Sequence, residues 1–220
     1  MAEKKNITPY LILGLGIAAA LGVAAYVVFR KKPIPCSSRF LFIGDSNTTI
    51  SHAYSKQLKS FCPGAQVKEI AQSGRNTNTM LQTLAAELQA GNKYDVIAIL
   101  GGSNDLCCPD AYPTKSNLAA MYQMAKASGA KVVAITPPSK KYVRLGDPTW
   151  GGSNYQGMLD RLQGIVTWIK QNGTPDLIID WNKITDNEAA FVGTDYMHAN
   201  SNAHKILLNE MINRLPIKSA

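Results

Sequence analysis

The chain shows no internal repeat, no low-complexity stretch beyond one apolar run near its start, and no two cysteines at CxxC spacing. The last absence removes the usual framework of a structural zinc site, and no metal or organic cofactor is expected. Charge is also scarce: 17% of the 220 residues are Asp, Glu, Lys or Arg, and 45% are hydrophobic, a balance unlike that of collagenous, coiled-coil or broadly disordered chains. Acids are the rarer sign, 15 against 23 bases, for a formal +8. Residues 1–35 hold five bases (Lys4, Lys5, Arg30, Lys31, Lys32) and one acid (Glu3), hence +4. The other 185 residues hold 18 bases and 14 acids, and no dense basic cluster lies among them. A nucleic-acid partner is therefore not expected.

Tyr10 to Phe29 is a run of 20 residues without a formal charge, closed abruptly by Arg30, Lys31 and Lys32. At about 1.5 Å per residue a helix of that length spans roughly 30 Å, the hydrocarbon thickness of a bilayer. The run predicts one transmembrane helix over 10–29, inside a segment 1–35 that comprises anchor and linker, with the lipid bilayer as a partner and a single-pass membrane location. A cleaved export signal is the rival, but three cations directly behind the run disfavour export. Gly14, Ala18 and Gly22 form a small-residue row suited to helix–helix packing. The side of the membrane on which the rest of the chain lies stays open. The excess of cations after the span leans slightly toward the cytoplasm. Cys36 and Cys62 would stay thiols there, or pair in an oxidising compartment.

From residue 36 to 220 the pattern is that of one domain in which short apolar runs alternate with amphipathic stretches. Strands are predicted over 39–44, 66–71, 95–100, 131–136 and 177–180. Helices are predicted over 51–61, 77–88, 117–128, 155–172 and 201–215. Five such alternations predict an α/β fold, a mainly parallel five-stranded sheet between two layers of helices, joined by right-handed crossovers.

In a sheet of that kind, ligands meet the loops at the carboxyl ends of the strands. Those loops carry Gly44-Asp45-Ser46-Asn47, Ser73-Gly74-Arg75-Asn76, Gly101-Gly102-Ser103-Asn104-Asp105 and, late in the chain, Thr194-Asp195-Tyr196-Met197-His198. A hydroxyl at a strand-to-helix turn, a glycine, an asparagine and an Asp/His pair make the inventory for acyl transfer. The four blocks, in this order, resemble those of the SGNH (GDSL-like) hydrolases. The matching residues are Gly44-Asp45-Ser46, Gly74, Gly102-Ser103-Asn104-Asp105 and Asp195-Tyr196-Met197-His198, within a resemblance that spans about residues 39 to 215. Asn47 stands where the GDSL form has leucine.

The resemblance implies a flavodoxin-like domain and a serine esterase or lipase. In it Ser46 would be the nucleophile, His198 the base and Asp195 the orienting carboxylate. Ser46 N–H, Gly74 N–H and the Asn104 amide would form the oxyanion hole. Asp45 and Asp105 read as supporting turn residues. His204 competes with His198 but has Ser201, not a carboxylate, three positions before it; His204 and His52 read as packing or surface residues. Cys107 and Cys108 are candidates to line the pocket or to pack.

The segment 137–154 holds Lys140, Lys141, Tyr142, Arg144 and Trp150, and reads either as a substrate wall or lid or as an ordinary loop. The expected substrates are small-molecule, glycan or lipid esters. Two other functions fit parts of the pattern. One is a non-catalytic, membrane-tethered binding or assembly module on the same fold. The other is a phosphate or flavin binder using Ser46, Asn47, Thr48 and Thr49, which leaves Asn104 and the Asp195/His198 pair idle.

Overall fold

The computed structural model describes residues 33–107, 113–150 and 152–218, of which Ile34 onward forms a compact unit. The apolar run 10–29 and its row Gly14, Ala18, Gly22 lie outside the described residues, as does Cys108. Among the described residues no helix is long and apolar enough to cross a membrane.

The chain enters through β1 (Ile34–Pro35), which pairs in parallel with β7 (Ile217–Lys218) at the far end of the sequence. Ile34 and Pro35, which the sequence pattern leaves in the linker, thus hold the closing strand. The central sheet contains β2 (Arg39–Ile43), β3 (Gln66–Glu69), β4 (Val96–Leu100), β5 (Lys131–Ile135) and β6 (Leu177–Ile179) in the order β3-β2-β4-β5-β6, with every pair parallel. This is the flavodoxin-like order, and its switch point lies between β2 and β4.

Strand periodicity explains the two layers. Phe40 and Phe42 face one side of β2, packing with Tyr54 of α2 (Tyr54–Phe61) and Leu207 and Met211 of α8 (Ser201–Arg214). Leu41 and Ile43 face the other, against α3 (Thr77–Gln89), α4 (Thr114–Ala127) and α6 (Tyr155–Asn172) through Met80, Leu84, Met121, Leu162 and Ile165. Both faces of β4 are covered, so all five of its residues are buried. That is why a parallel sheet reads as continuous apolar runs.

Several element ends differ from the sequence pattern, each for a local reason. The helix expected over 51–61 begins only at Tyr54, as α2, and a separate short helix, α1 (Ser46–Thr49), precedes it. Asp45 accepts the Asn47 N–H at 2.9 Å and opens the first, and extended backbone at Ile50 and Ala53 separates them. The fifth strand stops at Ile179 because Asp180 turns out to cap α7 (Trp181–Ile184), accepting the Lys183 N–H at 3.1 Å. The helix α4 begins three residues before the predicted start, directly after Pro113. The segment after β5 is not a featureless loop; it contains α5 (Val143–Gly146).

Cys36, before β2, and Cys62, after α2, form a disulfide with a Cα–Cα separation of 5.1 Å. On the loop-entropy argument a closed loop of this size stabilises by about 3 kcal/mol. Cys62→Ser should therefore lower unfolding stability by about 3 kcal/mol while ester turnover stays within a few-fold. A reduced protein whose urea midpoint equals that of the oxidised one would contradict this.

Candidate active site

The β2–α1 turn carries Ser46 into the first position of a four-residue helix, where its N–H has no carbonyl one turn earlier to bond. Ser46 is partly buried, at the switch point of the sheet. The Asp195–His198 turn arrives from the other end of the domain. Its geometry is local: Asp195 Oδ1 accepts the N–H of Met197 at 2.9 Å and of His198 at 2.8 Å, and Oδ2 lies 2.7 Å from His198 Nδ1. Nδ1–H thus donates to the carboxylate, which leaves Nε2 as the ring's accepting nitrogen. The three-residue spacing lets one carboxylate fix both the backbone and the ring.

Burial alone would raise the Asp195 carboxyl, but the bonds from the His198 N–H, the His198 ring and the Met197 N–H outweigh it and hold the pKa below the ordinary value. One contact joins this turn to the serine turn, and a second joins it to the turn before α2. The Ala199 N–H donates to Asn47 Oδ1 at 3.3 Å, and His52 Nε2 lies 3.1 Å from the Ala199 carbonyl. The residue after Ser46 is therefore bonded to the residue after His198.

Asn104 begins a 3₁₀ turn after β4 and donates from Nδ2 to the Arg75 carbonyl at 3.1 Å, which brings the third block against the second. Gly74 stands beside that carbonyl with φ +72°, the left-handed region that glycine enters without cost. A Cβ there would meet nothing within 4 Å, so conformation rather than space asks for glycine. Asp105 is buried and accepts the Thr77 N–H at 2.9 Å and its hydroxyl at 2.6 Å, tying the Asn104 turn to the start of α3. Asn76 caps the same helix, accepting the Thr79 N–H at 3.0 Å. Asp45 is fully enclosed; burial raises its pKa, opposed by Lys140, the bonds from Asn47 and His198.

Of the three histidines, His204 is fully buried and has rings on three sides, with centroids of Trp181, His52 and Tyr54 at 4.9, 5.5 and 6.0 Å. It is a packing residue. His52 lies in the turn before α2 rather than on a helix, and serves the Ala199 carbonyl. A groove of about 540 Å³ adjoins the Asn104 turn, lined by Leu106, Cys107, Asp147, Trp150, Met158 and Arg161 among others. Arg161 donates to the Leu106 carbonyl at 3.0 Å, and the Arg144 guanidinium lies 4.2 Å from the Tyr155 ring centre. Among the described residues no group of His, Cys, Asp and Glu is arranged to hold a metal ion.

Sequence reasoning missed Lys140. It named the residue only as one cation in a loop, yet the side chain is 1% exposed and Nζ donates to the Met197 carbonyl at 3.0 Å. Its neighbour Lys141 is exposed, and nothing in a Lys-Lys pair announces which of the two turns inward.

A flavodoxin-like sheet with a serine turn at its switch point, and an Asp/His turn bonded to it, defines a serine hydrolase of carboxylic esters. The chain belongs to the GDSL-like lipase/acylhydrolase family, whose model matches residues 42–206. The domain is similar to a catalytic mutant of Axe2, an acetylxylan esterase from Geobacillus stearothermophilus, at 19% identity and TM-score 0.64, over 86% of this chain and 97% of that one. A second Axe2 catalytic mutant gives 17% identity and 0.62, over the same shares of the two chains. An α/β hydrolase from the metagenome of Lake Arreo, Spain, LAE5, is 18% identical with TM-score 0.54, over 81% of this chain and 95% of that one. At these identities the likenesses establish the fold. No curated protein matches the chain.

Proposed function

We propose that this hydrolase removes acyl or acetyl groups from a carbohydrate through an acyl-enzyme on Ser46, and that residues 10–29 tether it to a membrane. The observation that carries the catalytic assignment is the Asp195–His198 pair, with its ring nitrogen 2.7 Å from the carboxylate, in a turn bonded to the turn that bears Ser46. Ser46 Oγ attacks the ester carbonyl carbon as His198 Nε2 takes its proton. The carbonyl oxygen becomes an oxyanion, met by the N–H groups of Ser46 and Gly74 and by the Asn104 amide. His198 then gives the proton to the departing alcohol oxygen. A water, losing its proton to His198, attacks the acyl carbon and frees Ser46. Asp195 accepts the Nδ1–H throughout and stabilises the imidazolium. The Axe2 catalytic variants replace a serine, an aspartate and a histidine, the last two three positions apart, as Asp195 and His198 are.

The carbohydrate reading rests on the groove beside Asn104. Trp150 offers an aromatic face, and Asp147 and Arg161 offer polar partners, a mixture suited to a sugar ring more than to an acyl chain. Lipid esters are the second substrate class, favoured by the proximity to a bilayer that the apolar run would impose. A fluorophosphonate should label Ser46, and acetylated xylooligosaccharides should be turned over faster than long-chain p-nitrophenyl esters. A protein that takes no label while binding glycans would be the binding module instead.

The Cys36–Cys62 disulfide favours placing the domain on the oxidising side of the membrane, against the slight lean of the flanking cations. Full-length protein should sediment with membranes through high-salt and alkaline washes, which screen or strip charge-based adhesion but not a spanning helix. Removal of residues 1–33, which spares Ile34 and its pairing with Ile217, should yield a soluble active domain. Intact chain recovered in the soluble fraction would defeat the tether. Recovery of a chain beginning near Ala25 would point to export and cleavage.

A further inference from the structure

Segment 140–150 and the Asp195–His198 turn lie about fifty residues apart in the sequence and touch at two points. The Lys140 Nζ reaches the Met197 carbonyl at 3.0 Å and the Met197 sulfur at 3.6 Å. Gly146, at the end of α5, lies so close that a Cβ there would fall 2.1 Å from the Asp195 carbonyl oxygen and 3.4 Å from Tyr196 Cβ. Between these contacts sits Tyr196 with φ +58°, a conformation that a bulky residue keeps only when its surroundings impose it.

The charge pattern agrees with the contacts. The two carboxylates that act on the Lys140 ammonium are Asp45, one residue before Ser46, and Asp195. In return, Lys140 is the foremost group lowering the Asp45 pKa against its burial. Asp45 Oδ1 is occupied by the Asn47 N–H, whereas its buried Oδ2 has no hydrogen-bond partner. The Trp150 ring also stands beside the ammonium, its centre 5.5 Å from Nζ.

We propose that Lys140 is a positioning residue: its enclosed ammonium, bonded to the Met197 carbonyl and within the electrostatic reach of the Asp45 and Asp195 carboxylates, holds the histidine turn in register with the serine turn. The proposal rests on the ester-hydrolase site described above. Lys140 touches no reacting atom in this role. It acts through Met197 on the adjacent His198, and through Asp45 on the adjacent Ser46.

A pH dependence follows from the burial. The charged and titratable groups around Nζ are Asp45 on the serine turn and Asp195 and His198 on the histidine turn. On its own segment, Lys141 turns toward Asp186 at 3.9 Å, and Arg144 toward Tyr155. Burial lowers the Lys140 pKa from 10.5 to about 8, with the two carboxylates opposing the fall. The lock is thus charged below pH 8 and weakens as the pH rises past it.

Lys140→Met in the full-length protein keeps the unbranched stem and removes the charge and donor. Expected is a fall of tenfold or more in kcat on a short-chain p-nitrophenyl ester, with KM within twofold. Amide exchange in the peptide spanning residues 194–199 should quicken at least tenfold, with the sheet peptides unchanged. In wild type, kcat should decline above pH 8; Lys140→Arg, which retains its charge there, should move that decline upward by more than one pH unit. If Lys140→Met fails to fold, exchange in 194–199 of the wild type at pH 7 and 9.5, corrected for intrinsic rates, decides the matter. Folded Lys140→Met with turnover and 194–199 exchange within twofold of wild type overturns the proposal, as does a wild-type turn whose corrected exchange is the same at both pH values. Absence of ester turnover and of Ser46 labelling in wild type would defeat the hydrolase reading instead, and the exchange data would still decide on Lys140.

Discussion

Ser46→Ala and His198→Ala should each reduce kcat on a short-chain ester by about a thousandfold or more, and the double variant should be scarcely slower than either. The non-additivity is the informative part. Ser46 without a base is a weak nucleophile, and His198 without Ser46 has no proton to take, so losing one disables the pair. Residual turnover should come from the oxyanion donors Gly74 and Asn104 and from binding, neither of which either substitution touches. Circular dichroism and thermal midpoints should stay near wild type, because Ser46 and His198 are only partly buried. Retention of most activity by Ser46→Ala would remove the acyl-enzyme from this site. Loss of activity in His204→Phe, with unchanged folding and an active His198→Ala, would transfer the role of base to the other histidine.

His204 should instead govern acid stability. Burial is the chief cause of its low pKa, about 3, and the neighbouring His52 and His198 push in the same direction. Neither of its ring nitrogens has a hydrogen-bond partner. In the unfolded chain the ring would titrate near 6.5, the ordinary histidine value. Between the two values the unfolded state binds a proton that the folded state refuses, so stability falls as the pH drops from about 6.5 toward 3. The loss should reach about 3 kcal/mol by pH 4, a large share of a typical domain's stability. His204→Phe keeps an aromatic ring between Trp181 and Tyr54 and removes the titration. Urea unfolding at pH 4 and pH 7 should therefore differ by about 3 kcal/mol less in the variant than in wild type. Equal pH slopes in the two proteins would show that His204 titrates normally in the fold.

The two layers of the core were legible because Phe40/Phe42 and Leu41/Ile43 must point to opposite faces once β2 is extended. The site blocks were legible for a related reason: in a parallel sheet every strand ends at the same rim, so the order of strands and loops predicts which loops meet. The four-residue helix opened by Asp45 was not legible, since Ser46 to Thr49 is too short to show a helical period. The late start of the second helix, at Tyr54 rather than Ser51, was hidden in the same way, because the extended backbone at Ile50 and Ala53 leaves no mark in hydropathy. Asp105 and Asn104 are adjacent in one motif, yet one turns into the core to hold Thr77 and the other reaches the Arg75 carbonyl.

By itself the sequence determined what is repeated or local: the alternation of strand and helix, the apolar run at 10–29, the residue types of the four blocks and the three-residue spacing of Asp195 and His198. Only the tertiary structure decided contacts between residues far apart in the chain. These are the disulfide from Cys36 to Cys62, the pairing of Ile34 with Ile217, the bond from Ala199 to Asn47, and the burial of Lys140 against Met197. The reason is physical. Local preference follows from each residue's own backbone and neighbours. A lysine's fate depends on whether carboxylates and a carbonyl from distant turns lie near enough to its ammonium to offset the loss of water.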